Sequence, residues 1–580
     1  MKKWIAKLKT FFQHFLNDDL TKKEYVWGVL VIFALKLILV CMQMIQIFPG
    51  EAEVDDELMF YAAKSIGRGE WLGAYSWATI AKSMGFSVWL WLLHVLHIPY
   101  LIGNQLLYGG ACVLSANALS PVMEKRRTRF LLIFILWFSP FATAQFTLRV
   151  YRDSILPALI LYAFAGVIGF CMRVRSDWRS SARYAIAGGL FTGFSRLVRD
   201  DVIWIYPFVI CATITYVLFV LLGKDVDDRI KKVLSTVLSV AVFFAIPVLL
   251  FCAMNLKYYG VFLINESSDK DFTAAISAMQ RADMDLPHPG IAVCHDTRDK
   301  LYAAVPEMAE LGKTLDNGSY YHGYGWQDQE EFNSGGFFWA VRRAAFDAGL
   351  TTNGKEAKEY YRSLAEGIEK AFAEGKLEGN KNARTVSAFL IPYDSSFLTP
   401  TIKELWNSSK CILFFEQTSS LAPLSYANME QTKEWWIYTL SMPSFSAKVG
   451  TDEADYYFPQ RVAEWIYCAI RWCYRIAIWP ALILCGVLFF KETKKSLKGI
   501  REFFSMDSSM NVILILGVSL SILVRVVLMS YIEVTNFRIG TYLLYLSGAA
   551  VLVILIAAVG AAYGFERYMA KRKGEQKGEY

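Results

Sequence analysis

Residues Val54-Asp55-Asp56-Glu57 put three adjacent carboxylates between a long apolar run and the amphipathic stretch 58–66. Acidic residues at the mouth of an apolar run mark a functional site in membrane proteins. The same pair of aspartates would also serve as an N-cap for a following helix and favour its dipole. Both readings stay open on these residues alone. Two further charged sets lie at the ends of later apolar runs, Arg149-Val150-Tyr151-Arg152-Asp153 and Arg196-Leu197-Val198-Arg199-Asp200-Asp201. One carboxylate acting as a base while guanidinium groups hold an anionic phosphate is the chemistry such sets can do. Charges snorkelling from the ends of spans are the plain alternative.

The elements that must position these residues are membrane helices. With 55% hydrophobic and only 19% charged residues over 580 positions, the chain reads as a polytopic α-helical membrane protein. Its net charge of +7 comes from clusters between apolar runs, which excludes a nucleic-acid face and reports orientation instead. Residues 1–24 read as a basic amphipathic N-terminus on the cytoplasmic leaflet, with no cleavable leader. About ten spans are expected, at 25–48, 100–119, 130–146, 154–172, 184–198, 201–222, 233–256, 462–490, 511–531 and 539–564. Residues 86–97 are too short to cross and read as an interfacial helix within the acidic outer loop 49–99. That assignment puts the basic loops 124–129, 173–183, 224–232 and 491–501, with the tail 565–580, on the cytoplasmic side. Both termini are then inside a cell membrane, most simply a bacterial one.

By the same parity the polar region 257–461 is an extracellular domain, mainly α or α+β, between the module 25–256 and the C-terminal helices 462–564. Thr352-Asn353-Gly354 precedes an amphipathic helix over 355–376, and residues 335–343 read as a turn feeding another. Cys294 and Cys411 are the two cysteines of this region, as a pair or as free thiols. Asn265, Asn317 and Asn407 each begin a glycosylation sequon, a match frequent by chance. Arg525 and Lys36 are charges inside spans, reaching either a lipid phosphate or a neighbouring helix. His94 and His97 share a helix face without other ligands nearby, and fit interfacial residues better than a metal site. No HExxH, P-loop, GxGxxG or clustered CxxC motif occurs, so protease, ATPase, nicotinamide and zinc chemistries lack support.

The run Asp55-Asp56 with Tyr61, Ala63 and Gly69 resembles the first outer-loop motif of the GT-C superfamily of polyprenyl-phosphate-sugar glycosyltransferases. That superfamily includes the protein O-mannosyltransferases and the lipid A aminoarabinose transferases. Asp153 matches its acidic position in the next outer loop, and Gly189, Gly193 and Arg199 match a glycine-rich span leading into an arginine. The resemblance covers roughly residues 25–256, and departs from the family in lacking a proline near Ser83-Met84-Gly85. It implies an inverting transfer of a hexosyl or pentosyl unit from a polyprenyl-phosphate sugar to a glycan, lipid or protein acceptor. Asp55 would be the base, with Asp56 as runner-up, and Arg149, Arg152, Arg199 and Arg525 would hold the donor phosphate. Asp153 would position the acceptor or an arginine, or join Asp56 in holding Mg²⁺ or Mn²⁺ as in some members. Two other classes fit the same charges: a flippase or transporter of a lipid-linked saccharide, and a membrane-anchored receptor or scaffold acting through the outer domain.

Overall fold

A computed structural model describes residues 2–282, 290–316, 318–326, 330–380, 394–448, 453–498 and 500–576. After the amphipathic α1 (Lys2–Asn17), Thr21 and Glu24 form a reciprocal capping box that starts α2 (Lys22–Val40). The first helix of the bundle thus stops at Val40, not near residue 48 as the apolar run suggests. Met44, Ile45 and Ile47 are apolar because they are buried in protein. There the chain is extended, and Ile45–Gln46 lies between two other segments. Ile45 N–H donates to the Met442 carbonyl at 2.9 Å and Gln46 N–H to the Leu148 carbonyl at 2.9 Å, while Val150 N–H returns a bond to Gln46 at 3.0 Å. This short ladder fixes the acidic loop beside Arg149.

The short amphipathic α3 (Leu58–Gly67) packs on α4 (Gly85–Val95), which meets α5 (Tyr100–Ala118) at 111°. Then come α6 (Arg126–Trp137), α7 (Gln145–Leu148), α8 (Leu156–Cys171), α9 (Trp178–Val198), α10 (Tyr206–Leu222) and α11 (Arg229–Tyr259). Helix α8 is apolar on every side and buried along nearly its whole length, which makes it the axis of the module. A Cβ at Gly189 would overlap the Val240 carbonyl, and one at Gly193 the Phe244 carbonyl. Four residues apart on one face, these glycines let α9 and α11 touch backbone to backbone.

The region between α11 and the last helices divides between two cores. Helices α12 (Lys270–Arg281), α13 (His295–Ala304), α14 (Pro306–Leu315), α15 (Gly318–Tyr324), α16 (Ser334–Asp347) and α17 (Gly354–Ala373) enclose their own core, with Phe337 and Phe338 fully buried. Burying each ring contributes about 2–3 kcal/mol. Asn333 and Asn353 cap α16 and α17. Among the described residues the only ladder of named strands there pairs β1 (Gly325–Trp326) with β2 (Glu331–Phe332), so the unit is mainly α. By contrast α18 (Leu398–Leu413) and α19 (Met429–Thr439) belong to the core of the bundle: Trp435 stacks on Phe60 at 4.0 Å. Cys294 sits by α13 and Cys411 in the bundle core, and no disulfide joins them.

The chain ends with α20 (Phe458–Lys498), α21 (Asp507–Ile532) and α22 (Leu543–Gln576). Among the described residues five helices, Asp200–Leu222, Arg229–Tyr259, Phe458–Lys498, Asp507–Phe537 and Leu543–Arg572, are long and apolar enough to cross a membrane. Counting the bent pairs α4–α5 and Arg126–Trp137 with Pro140–Leu148 as one span apiece gives seven. The protein is a helical membrane protein. The other runs counted in the sequence form α2, which carries Lys36, the 16-residue α8 and the arginine-bearing α9. The basic loops meet at one end, where Arg127 pairs with Glu566 at 3.0 Å and Lys224 with Glu502 at 2.5 Å. At the other end the acidic loop meets Arg149 and Arg199.

Candidate functional site

Glu53–Glu57 form one wide π turn, which leads into α3. The cap position of α3 is Glu57, with no side-chain bond to the helix, so neither aspartate serves as its cap. The turn instead sends the two carboxylates to different surroundings. Asp56 is completely buried, and Arg149 grips it through Nε at 2.9 and 3.0 Å and through Nη2 at 2.5 Å. Arg149 is flanked by the rings of Phe48 and Tyr151, each 4.8 Å away. Burial pushes the Asp56 carboxyl up to about 6, even against the pull of Arg149.

Asp55 is half-open, its side chain 38% exposed, and pairs with the buried Lys82. Tyr151 Oη donates to the same Asp55 oxygen at 2.8 Å. Burial pushes this carboxyl up, but Lys82, Arg152 and Arg149 outweigh it and hold Asp55 well below the usual carboxylate range. Lys82 responds in the opposite sense. Burial lowers its ammonium to about 8, although Asp55 favours the charged form. Lys82 also faces the rings of Tyr151 at 5.5 Å and Trp339 at 5.6 Å, the latter from the outer unit. Sequence reasoning missed Lys82 and Tyr151. The available signal for Lys82 was a single charge in the otherwise uncharged run 71–95.

Arg152, Arg199 and Arg525 differ in what they have left to offer. Arg199 is clasped by Asp201 at 2.8 and 2.9 Å and pairs with the buried Asp153. Arg525, fully buried, donates to Asp201 at 2.7 Å and to the Tyr545 carbonyl at 2.7 and 3.0 Å. Both are therefore built into the fold. Arg152 is not: its nearest carboxylate is Asp200, 3.7 Å away, and its buried Nε and Nη1 have no hydrogen-bond partner. Asp200 is already engaged by Arg196 at 3.1 Å, Ser83 at 2.7 Å and Asn265. Asn265, one of the sequon residues, is thus buried in the site; Asn317 lies outside the described residues. Across the cluster, Lys82, Arg149, Arg152, Arg196, Arg199 and Arg525 face Asp55, Asp56, Asp153, Asp200 and Asp201. The one cation in excess of the carboxylates leaves Arg152 the least satisfied.

A cavity of ≈ 690 Å³ opens at Asp55 and Arg149 between the bundle and the outer unit. That volume suits a sugar-sized ligand with part of an acceptor. Phe48, Tyr320, Tyr324 and Tyr426 give it aromatic walls, and Arg343 lies 3.7 Å from both Glu53 and Asp347 at its rim. The outer unit is tied down beside it, where Arg342 pairs with Glu266 and donates to the Trp77 carbonyl at 2.8 Å. A divalent ion on Asp56 and Asp153 does not fit this arrangement. Each carboxylate is taken by an arginine, and no group of three or more metal-ligating side chains gathers among the described residues. His94 stacks on Tyr438 and His97 is exposed, so they do not form a pair. Lys36 lies over the Trp137 ring at 4.3 Å and donates to that residue's carbonyl, inside the bundle.

No protein-family model matches this sequence, and no curated protein does. Among solved structures, the chain is similar to the crystal structure of ArnT from Cupriavidus metallidurans in the apo state. The two share 11% identity over 88% of this chain and 78% of that one, with a TM-score of 0.29.

Proposed function

We propose that this protein is an inverting membrane glycosyltransferase of the GT-C type, moving a sugar from a polyprenyl-phosphate donor to a hydroxyl or amine acceptor at the outer face. The observation that carries the reading is Arg152. Its guanidinium is buried, under-partnered and close enough to Asp55 to depress that carboxyl, at the edge of a cluster with surplus positive charge. A buried donor set without an acceptor suits an anion that arrives with the substrate.

In this mechanism the donor phosphate seats against Arg152 and Lys82, with Arg149 along the cavity wall. Arg199 and Arg525 act as positioning residues, holding Asp153 and Asp201 behind it. The phosphate draws Lys82 away from Asp55, whose proton affinity then rises toward that of an ordinary carboxylate. Asp55 takes the proton of the acceptor as the acceptor atom attacks the anomeric carbon on the face opposite the phosphate. The carbon–oxygen bond to phosphate breaks, its electron pair stays on the phosphate oxygen, and the sugar leaves with inverted configuration. Asp55 accounts for about 10²–10⁴-fold of the rate as a base, and preorganised cations stabilise the departing phosphate where charge develops. Asp56 has the higher proton affinity, yet it is buried under Arg149, and geometry decides before acidity does. The aromatic cavity receives the sugar and acceptor.

The test is transfer of labelled sugar by the purified full-length protein in nanodiscs, from polyprenyl-phosphate sugars to a membrane extract of the native host. Donor-dependent appearance of label in an acceptor supports the reading. Donor binding with no transfer to any acceptor in that extract would move the same arginines to a lipid-linked saccharide carrier.

A further inference from the structure

A second cavity, of ≈ 470 Å³, lies at the opposite, basic end of the bundle. Its walls are apolar, with Leu119 facing it from the C-cap of α5 and Ile168, Leu514, Val518, Leu555 and Val559 from α8, α21 and α22. Its polar lining is incomplete. Tyr563 Oη and Asn511 Oδ1 are both buried without a hydrogen-bond partner. The Asn511 amide is held by its donation from Nδ2 to Glu492 at 3.1 Å, which leaves Oδ1 as an acceptor waiting for a donor. Lys491 and Arg567 each lie 5.7 Å from the centre of the Tyr563 ring, and neither forms an ion pair among the described residues. The neighbouring carboxylates are occupied: Glu566 by Lys125 at 2.5 Å and Arg127 at 3.0 Å, and Glu492 by Lys495 at 2.9 Å. Glu124, the remaining acid of the lining, is exposed.

We infer that this cavity binds an anionic glycerophospholipid from the leaflet at the basic end. Lys491, Arg567 and the Tyr563 hydroxyl hold its phosphate, Asn511 Oδ1 accepts from a head-group hydroxyl, and one acyl chain fills the apolar cavity. Lys491 and Arg567, exposed beside Tyr563, give this end of the cavity a positive charge that an anionic head group matches, and a soluble anion would leave the apolar walls empty. The site is separate from that of Asp55: Tyr545, at the first cluster, and Tyr563 are 18 residues apart on α22, roughly 27 Å at 1.5 Å per residue.

Native mass spectrometry of the delipidated full-length protein, titrated with phosphatidylglycerol and separately with phosphatidylcholine, tests this. Phosphatidylglycerol should bind at least tenfold more tightly. Removing both charges in the Lys491→Gln/Arg567→Gln variant should weaken it about 25-fold, near fivefold per charge, with little effect on phosphatidylcholine. Val559→Trp, which fills the cavity, should remove binding of both lipids while donor binding at the Asp55 end persists. Equal affinity for the two lipids, or undiminished phosphatidylglycerol binding in the charge-removed variant, would overturn the inference. That variant changes only exposed side chains, so it reads binding even if Val559→Trp fails to fold.

Discussion

Replacing Arg149 with methionine leaves the most buried carboxylate of the site without its partner. Asp56 is 0% exposed and takes three contacts of 2.5–3.0 Å from one guanidinium, whose side chain is itself only 17% exposed. Removing one member of a buried pair typically costs about 3–5 kcal/mol, since the other charge stays buried. The cost is pH-dependent, with a sign that follows from Asp56. Its carboxyl already sits near 6 with Arg149 present, and without the arginine it moves higher. A carboxyl raised in the folded state lends stability below its unfolded value and loses it as pH rises through the folded one. Arg149→Met should therefore be mild at pH 5, where Asp56 holds a proton, and severe at pH 8. Equilibrium unfolding in mixed micelles at both pH values measures this. The Asp56→Asn/Arg149→Met double variant should regain most of the loss, giving a coupling above about 2 kcal/mol. Additive single effects under about 1 kcal/mol, equal at the two pH values, would refute the clasp.

Other outcomes follow from neighbouring residues. Lys82 is charged below about 8, so donor binding and kcat/KM should fall as pH rises through that value, with the alkaline limb moving upward in Lys82→Arg if the longer side chain is accommodated. A limb unmoved in that active variant would assign it to another group. Arg152→Met should lower kcat/KM about 10–100-fold, with Arg152→Lys recovering part, because one charge-assisted contact contributes about 1.5–3 kcal/mol. An unchanged kcat/KM would remove Arg152 from the phosphate site.

Much of this was legible from the sequence because it is local. The Asp55-Asp56 turn, the arginines at the ends of later runs and the short helix before α5 are all defined by neighbours within a few positions. The outer helix capped by Asn353 was readable from its turn residues and apolar spacing, whereas residues 335–343, which read as a turn before a helix, form the body of α16, whose cap is Asn333. What escaped is long-range. Lys82 meets Asp55 across 27 positions, Arg525 meets Asp201 across 324, and the Ile45 ladder borrows a strand from residue 442. Residues 41–48 looked like the end of a span because hydropathy does not distinguish burial in protein from burial in lipid. For the same reason α18 and α19 read as part of a polar domain, although Trp435 is buried in the bundle core.

The central claim is that Asp55 does chemistry while its neighbours bind. The measurement is single-turnover sugar transfer by Asp55→Asn beside wild type, with donor affinity determined on the same preparations. The account predicts transfer slowed at least about 100-fold with donor Kd within about threefold of wild type. Transfer at the wild-type rate, with the donor bound equally well by both proteins, would contradict it.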